Sequence, residues 1–227
     1  MKLDIVIPSK NRKEKLQKCL NSLFLSGKDI LDLNIFLYLS SKEEYDYYRF
    51  LFSNIRQIIV RRIADYRVPD FWNAFLCQCE SDAMMYINDD IEFLEETIPI
   101  VLENYYSRFP DYDGVMGLNQ VNITDPNKVE AAFGVIGLKY ADRFPDRQVF
   151  PPCYNRFYGD FELWLYAREI NKFYFCEEAR ILHHHPSTNR SLEDSTHIDV
   201  RKWLAKDRAI FNLRKEKQLL WGRSFEL

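Results

Sequence analysis

Segments typical of strands and of helices alternate along the first ninety residues, and this order restricts the fold more than any other feature. The strand segments are short, apolar and rich in β-branched residues, which is typical of buried strands. The helix segments carry apolar residues at i, i+3, i+4 and i+7. Strands joined in this way form a parallel sheet with helices on both faces. The predicted strands are 3–7, 34–39, 57–60 and 83–87, and the predicted helices are 16–27, 43–54 and 69–81, the last with Asp70 as a possible cap.

The alternation loosens in the second half, which predicts a mixed sheet. The fold class is therefore α/β, a Rossmann-like and mostly parallel sheet flanked by helices. No shift in composition marks a domain boundary, so we expect one domain over 1–227, with parts at 1–92, 93–190 and a basic helical end at 191–227. The further predicted strands are 114–118, 132–138, 172–176 and 180–184, and the further helices are 98–109, 161–170 and 200–211.

Charge and composition exclude some functions. The net charge is −3 and the pI about 5.9, so general nucleic-acid binding is not expected. The stretch 201–223 has eight Lys or Arg and two acidic residues, a net charge of +6, and is either a solvated face or a contact for an anionic acceptor or membrane surface. Five cysteines without framework spacing predict a reduced, cytoplasmic protein. No apolar run is long enough to span a membrane.

The segment "YINDDIEF" (86–93) places three polar residues directly after a predicted buried strand. In an open parallel sheet, ligands bind beyond the carboxyl ends of the strands, where this turn meets the loop "PSKNR" after the first strand. Neither loop has the glycines of a dinucleotide or P-loop site. Adjacent carboxylates suit Mg²⁺ or Mn²⁺. The alternative is that Asp89 and Asp90 cap the next helix.

Two further clusters carry chemistry. Asp160 and Glu162 open an amphipathic helix after a Pro-rich, aromatic loop, where they would otherwise be a helix cap and a solvated residue. His183, His184 and His185 end a strand. Because strand side chains alternate, His183 and His185 face one side and His184 the other, so two imidazoles can point at one site.

These motifs, in this order, resemble the GT-A-fold nucleotide-sugar glycosyltransferases, and among them the family 2 type. "IVIPSKNR" looks like the first strand and nucleotide-binding loop, and "VPDFWNAFLCQCESDAMMYINDDIEF" like the approach to the D-x-D motif. "AAFGVIGL" and "GDFELWLYAR" resemble the acceptor-side strand and the segment with the catalytic base. "ILHHHPS" resembles the C-terminal histidine of the metal site. The likeness covers about 3–190.

The resemblance implies a role for each residue. Asp160 would be the catalytic base, with Glu162 as the second candidate, and Asp90 with His183 or His185 would hold Mn²⁺ or Mg²⁺. This sequence departs from the pattern at Asn88, where the family has an acid, and at Gly159. The residues implied on the donor side are Pro8, Ser9, Asn11, Arg12, Asn73, Asn88 and Asp89. Two of them have simpler interpretations, because Arg12 could only start the first helix and Asn73 could be an ordinary helix position.

The implied activity is metal-dependent, inverting transfer of a hexosyl or related group from a nucleoside-diphosphate sugar to an acceptor hydroxyl. The acceptor would be a glycan, a lipid-linked saccharide, a protein or a modified nucleobase. One alternative is a sugar nucleotidyltransferase, although "PSKNRKEK" lacks the glycines of its activating loop. The other is a non-catalytic nucleotide- or glycan-binding module on the same fold.

Overall fold

The computed structural model describes residues 1–27, 33–63, 67–121, 131–186 and 195–221. Eight strands in these ranges form one hydrogen-bonded sheet. The strands are β1 (Leu3–Ser9), β2 (Leu33–Leu39), β3 (Ile58–Arg62), β4 (Ala83–Tyr86), β5 (Ile91–Phe93), β6 (Val115–Gln120), β7 (Gly134–Gly137) and β8 (Phe173–His183).

The sheet is parallel in its first half and mixed in its second. Its order is β3-β2-β1-β4-β7-β6-β8-β5. β1 pairs in parallel with β2 and β4, and β2 with β3. β7 is antiparallel to β4 and β6, β8 is parallel to β6, and β5 is antiparallel to β8. The predicted α/β class, with a mostly parallel first half, is confirmed.

The helices cover both faces of the sheet. Along β1, Leu3, Ile5 and Ile7 pack in one core with α1, α2 and α4, while Val6 packs in the opposite core with α3 and α6. Period-two alternation in a strand buried on both sides divides its residues between two cores in this way. The helices are α1 (Lys13–Ser26), α2 (Lys42–Leu51), α3 (Val68–Gln78), α4 (Thr97–Arg108), α5 (Leu138–Ala141), α6 (Gly159–Glu169) and α7 (Ser195–Glu216), with a 3₁₀ turn at Pro145–Arg147.

Several sequence predictions need correction. β5 follows the acidic turn, so Asp89 and Asp90 do not cap a helix. The two strands predicted at 172–176 and 180–184 are one strand, β8, with an irregularity opposite Leu118 and Asn119, where the sequence pattern breaks. Asp70 does not cap α3, because its carboxylate binds the Arg67 guanidinium at 2.6 Å. The proposed division at 190/191 and Arg223 lie outside the described residues.

This topology brings the ends of three strands, β1, β4 and β8, to one place. The end of β1 lies beside the turn after β4, because these strands are parallel neighbours. β5 begins directly after that turn and pairs Ile91 with His183, so the end of β8 reaches the same turn. The backbone N–H of His184 donates a 2.9 Å hydrogen bond to the carbonyl of Asp90 and fixes the junction.

Candidate active site

The Asp89–Asp90 turn and the loop after β1 form one polar cluster. Ser9 Oγ donates a 2.7 Å hydrogen bond to Asp89 Oδ2. Arg12 reaches both acids, with Nη1 2.9 Å from Asp89 Oδ1 and 3.2 Å from Asp90 Oδ2. Charge-assisted contacts of this kind are stronger than neutral ones and fix the arginine in place. Arg12 therefore does more than start α1.

One carboxylate oxygen of Asp90, Oδ1, has no hydrogen-bond donor within ordinary range among the described residues. The buried Oδ1 accepts no hydrogen bond from the residues that the structure describes, and His183 Nε2 lies 3.5 Å from it, beyond ordinary N–H···O range. Burial raises the pKa of Asp90, but His183, Arg12 and Lys15 outweigh burial and hold the pKa below its usual value. Burial and the charge of Asp90 raise the pKa of Asp89. Of the two acids, Asp90 therefore keeps its negative charge to lower pH.

The end of β8 presents two imidazoles on the side of Asp90. The rings of His183 and His185 lie 5.0 Å apart, and both line one cavity. His184 points elsewhere, with Nε2 2.6 Å from Glu92 Oε2. The alternation predicted from the sequence is confirmed. Burial, followed by the neighbouring imidazoles, lowers the pKa of His185 to about 4, so this ring is neutral at pH 7.

A glutamine orients His183. Nδ1 of His183 lies 3.2 Å from Oε1 of Gln120, which can only accept a hydrogen bond. In the neutral form of this ring, the proton is on Nδ1 and the lone pair is on Nε2, on the side of Asp90 Oδ1. Metal-binding histidines are usually held in this way, with the second nitrogen donating to a neighbouring oxygen.

The fourth histidine, His197 on α7, also belongs to the cluster and was not predicted. It is buried, and its Nε2 lies 2.8 Å from Nη2 of Arg12 and 4.0 Å from Asp90 Oδ2. Its ring packs edge-on against that of His185 at 4.7 Å. α7 is therefore a wall of the site.

A cavity of about 320 Å³ extends from this cluster to the start of α6. At that end, Asp160 is half-buried in the first turn of α6, next to its own backbone N–H and that of Phe161. Burial raises the pKa of Asp160 to about 6. The cavity thus has an acid and imidazole cluster at one end and a single carboxylate at the other. Its aromatic lining consists of Trp72, Phe133, Phe150, Phe157, Tyr158 and Phe161.

Glu162 lies away from this cavity, although it follows Asp160 by two residues. It is fully buried, and Arg214 approaches it with Nε at 2.8 Å and Nη2 at 3.1 Å. The backbone N–H of Trp221 and the hydroxyl of Tyr154 also donate to it. Glu162 is neither on a solvated face nor in the cavity wall, and its contacts tie the C-terminal segment to α6.

The other predicted donor-side residues are more dispersed. Asn88 lines the cavity, whereas Pro8 is buried in β1 and Asn11 is exposed. Asn73 is buried and makes hydrogen bonds to both backbone groups of Phe150, at 2.6 and 2.9 Å. Asn73 therefore positions an aromatic residue of the cavity wall.

The residues at Asp90 fit a divalent cation only as a partial ligand set. Within the described ranges, no three His, Cys, Asp or Glu side chains converge as a ready metal site. The orphaned Oδ1 of Asp90 and Nε2 of His183 nevertheless face each other at 3.5 Å. Mg²⁺ at nucleotide sites often takes one or two protein ligands and fills its shell with water and phosphate oxygens. The donor set suits a cation that arrives with a phosphate group.

Solved structures with a similar fold include glycosyltransferases. TarS 1–349 of S. aureus in complex with UDP-GlcNAc superposes with a TM-score of 0.59 at 14% identity, covering 88% of this chain and 61% of TarS 1–349. A mannosyltransferase, PcManGT of Pyrobaculum calidifontis, in complex with GDP-Man and Mn²⁺, gives 0.60 at 9% identity, covering 80% and 56%. The chain spans only 38% of a longer TarS structure.

These similarities define the fold. The chain has the mixed α/β architecture of the GT-A glycosyltransferases. No family model matches the sequence, and no curated protein matches it either. None of the described helices is long and apolar enough to cross a membrane.

Proposed function

We propose that this protein is an inverting glycosyltransferase of the family 2 type, which moves a sugar from a nucleoside-diphosphate sugar to an acceptor hydroxyl. One observation carries the proposal. One cavity in a GT-A-like fold has at one end a carboxylate with an unsatisfied oxygen, Asp90, and at the other a carboxylate with a raised pKa, Asp160. Acid and base roles are often assigned to titratable groups whose environments push their pKa values apart.

Asp90 and His183, with His185 beside them, would hold Mn²⁺ or Mg²⁺ on the donor side. When bound, this ion neutralises charge on the diphosphate leaving group. Arg12 lies on the other oxygen of Asp90, so the guanidinium and the cation would share the carboxylate without competing for one atom. Asn88 in the cavity wall would contact the nucleoside.

Some donor-side residues would act through others. Ser9 and Asp89 hold Arg12 and the acidic turn, and Asn73 holds Phe150. Pro8 and Asn11 shape the loop after β1, where Asn11 has a left-handed backbone with φ of 55°. Substitutions here should change donor affinity through geometry.

Asp160 would accept the proton of the acceptor hydroxyl as the oxygen attacks the anomeric carbon. The attacking oxygen and the leaving diphosphate then lie on opposite faces of the sugar, and the configuration inverts. A positioned general base contributes about 10²- to 10⁴-fold in rate. A base works best with a pKa near the working pH, and burial moves Asp160 in that direction. Glu162 is not proposed as a base, because Arg214 and Trp221 occupy its carboxylate.

The ligands of the structural neighbours support the donor class. TarS has been solved with UDP-GlcNAc, and PcManGT with GDP-Man and Mn²⁺.

All five cysteines are free thiols, which supports the cytoplasmic location that we propose.

A thermal-shift screen tests the proposal. The protein would be heated with UDP-, GDP-, TDP- and CMP-sugars, with and without Mn²⁺. A ligand that binds only the folded state at a hundredfold excess over Kd adds about 2.7 kcal/mol of stability. For a chain of this length, that raises Tm by roughly 5 to 10 °C.

The variant Asp90→Ala should lose the metal-dependent part of the shift. Asp46→Ala, at an exposed position of α2, is the matched control and should keep the metal-dependent shift. No shift with any nucleotide sugar in the presence of metal would contradict the proposal. A shift without any turnover would favour a binding module instead.

A further inference from the structure

The basic helix α7 is fixed to the cavity by a buried carboxylate. Asp207 is fully buried and accepts hydrogen bonds from three consecutive backbone N–H groups, those of Asn155 at 3.2 Å, Arg156 at 2.8 Å and Phe157 at 2.9 Å. Asn155 Nδ2 adds a fourth donor at 3.1 Å. A run of backbone donors around one anion is a strong and directional contact. α7 and the loop before α6 are therefore held together at this point.

The ion pair of Arg214 with Glu162 is the second anchor, two turns further along α7. Both anchors are buried, so the helix has a defined inner and outer side. On the inner side, Leu204 and His197 line the cavity. Most of the exposed charges of α7 from Arg201 onward are positive, and Glu216 is the exposed acid at its end.

The outer side carries a dense positive charge near the cavity. The only acid among residues 201–208 is Asp207, and it faces inward. Four basic residues of this stretch are exposed, namely Arg201, Lys202, Lys206 and Arg208.

Arg208 connects this charge to the cavity wall. Its Nε donates a 3.0 Å hydrogen bond to the hydroxyl of Tyr158, and the Tyr158 ring stacks on Phe211 of α7 at 4.9 Å. Tyr158 lines the cavity with Arg156 and Asp160. Arg156 therefore lines the cavity, and Arg208 reaches its wall through Tyr158, which lies two residues before Asp160 in the chain.

We infer that the Asp160 end of the cavity is an acceptor site for a molecule that carries a phosphate or carboxylate group. Arg156 and Arg208 recognise this group while Asp160 faces the attacking hydroxyl. This inference rests on the proposed function, because it takes the Asp160 end as the acceptor side. Arginine is suited to the task, since its planar fork binds phosphate and carboxylate through paired hydrogen bonds.

Titration calorimetry with three matched probes tests the inference. The probes are methyl glucoside, its 6-phosphate and methyl glucuronide, which differ in one group. Each is added to protein already saturated with UDP or GDP and Mn²⁺, so that the donor end is occupied. The phosphate and glucuronide probes separate the two sources of negative charge. We expect at least one of them to bind about tenfold or more tightly than the neutral glucoside.

Variants of the cavity rim locate the effect. Arg208→Gln and Arg156→Gln should each reduce the preference for the charged probe by about tenfold. Lys215→Gln, an exposed position of the same helix further from the cavity, removes the same charge and should leave the preference unchanged. Equal affinity for the three probes, or no binding of any, would overturn the inference. So would an Arg208→Gln variant that weakens only nucleotide binding.

The two proposals fail in different ways. If no nucleotide sugar binds but the phosphorylated probe does so through Arg208, the donor assignment is wrong and the anion site stands. If nucleotide sugars bind and the probes do not discriminate, the glycosyltransferase proposal stands and the anion site does not.

Discussion

Two pairs of acids that are close in the sequence, Asp89 with Asp90 and Asp160 with Glu162, divide their work in the same way. In each pair, one carboxylate is saturated by protein donors. Asp89 is held by Ser9 and Arg12, and Glu162 by Arg214, Tyr154 and Trp221. The other carboxylate of each pair lines the cavity. Sequence neighbours of the same type therefore hold the fold in one case and face the ligand in the other.

The difference between the ends lies in the surroundings of the cavity-facing acid. Asp90 sits among cations and imidazoles, which keep it ionised and suited to a positive partner. At Asp160, burial outweighs the effect of the neighbouring backbone N–H groups, so its pKa rises to about 6 and it is suited to take up a proton. Four substitutions and a pH profile test this division.

Asp160→Asn should reduce turnover by about 10²- to 10⁴-fold, because the amide cannot accept the proton of the acceptor hydroxyl. Nucleotide-sugar affinity should change little, since Asp160 lies at the far end of the cavity. Steady-state release of the nucleoside diphosphate measures the first effect, and calorimetry measures the second. Glu169→Gln, exposed on the same helix, is the control. A loss smaller than tenfold would move the base elsewhere.

Glu162→Gln should act on stability instead. It leaves Arg214 charged and buried without its counter-ion, which costs about 3–5 kcal/mol. Tm should fall by roughly 6 to 20 °C, followed by circular dichroism. Well below that temperature, turnover per folded molecule should stay near the wild-type value. The double variant with Arg214→Met should regain part of the loss, because it removes the unpaired charge. A catalytic defect without a change in Tm would reverse our division.

Asp90→Asn and Asp89→Asn should differ in how far Mn²⁺ raises the nucleotide affinity. Asp90→Asn should abolish the gain in nucleotide affinity that Mn²⁺ provides, an effect of about tenfold or more. Asp89→Asn should keep that gain, because the Asp89 carboxylate is occupied by Arg12 and Ser9 and does not line the cavity. Mn²⁺ titrations in the presence of UDP or GDP, reversed with EDTA, distinguish the two. Identical behaviour of the variants would show that the pair acts as a unit.

The pH dependence should have the smallest effect. Because the pKa of Asp160 is raised to about 6, kcat/KM should rise about tenfold per pH unit below 6 and level off above it. The protonated form is favoured in the folded protein, so its contribution to stability is present at low pH and lost as the pH rises through about 6. Asp160→Asn should therefore flatten the acidic limb of the kcat/KM profile. The Tm of the variant, relative to that of the wild type, should be higher at pH 7.5 than at pH 4. An unchanged limb would contradict this.

The sequence predicted what depends on local pattern. The order from β1 to β4, the covering of both faces, and the alternation of His183 and His185 follow from periods of two and 3.6. β5 was missed because three residues, "IEF", carry too little pattern, and its presence excludes the helix-cap interpretation of the acidic turn.

Contacts between distant segments could not be predicted. Glu162 is held by Arg214, about fifty residues away, and nothing near Glu162 in the sequence indicates that partner. His197 had a weak signal, since it lies in phase with Leu204 and Phe211 on the inner face of α7, at spacings of seven. Asp207 had a similar weak signal, because it is an acid on the inner face of a basic helix.

A crystal structure with a nucleoside-diphosphate sugar and Mn²⁺ would show whether the two carboxylates have these roles. We predict a metal ion held by Asp90 Oδ1, with Arg12 still on Oδ2 and the anomeric carbon facing Asp160. A nucleotide bound outside the cavity, or a sugar turned away from Asp160, would contradict it.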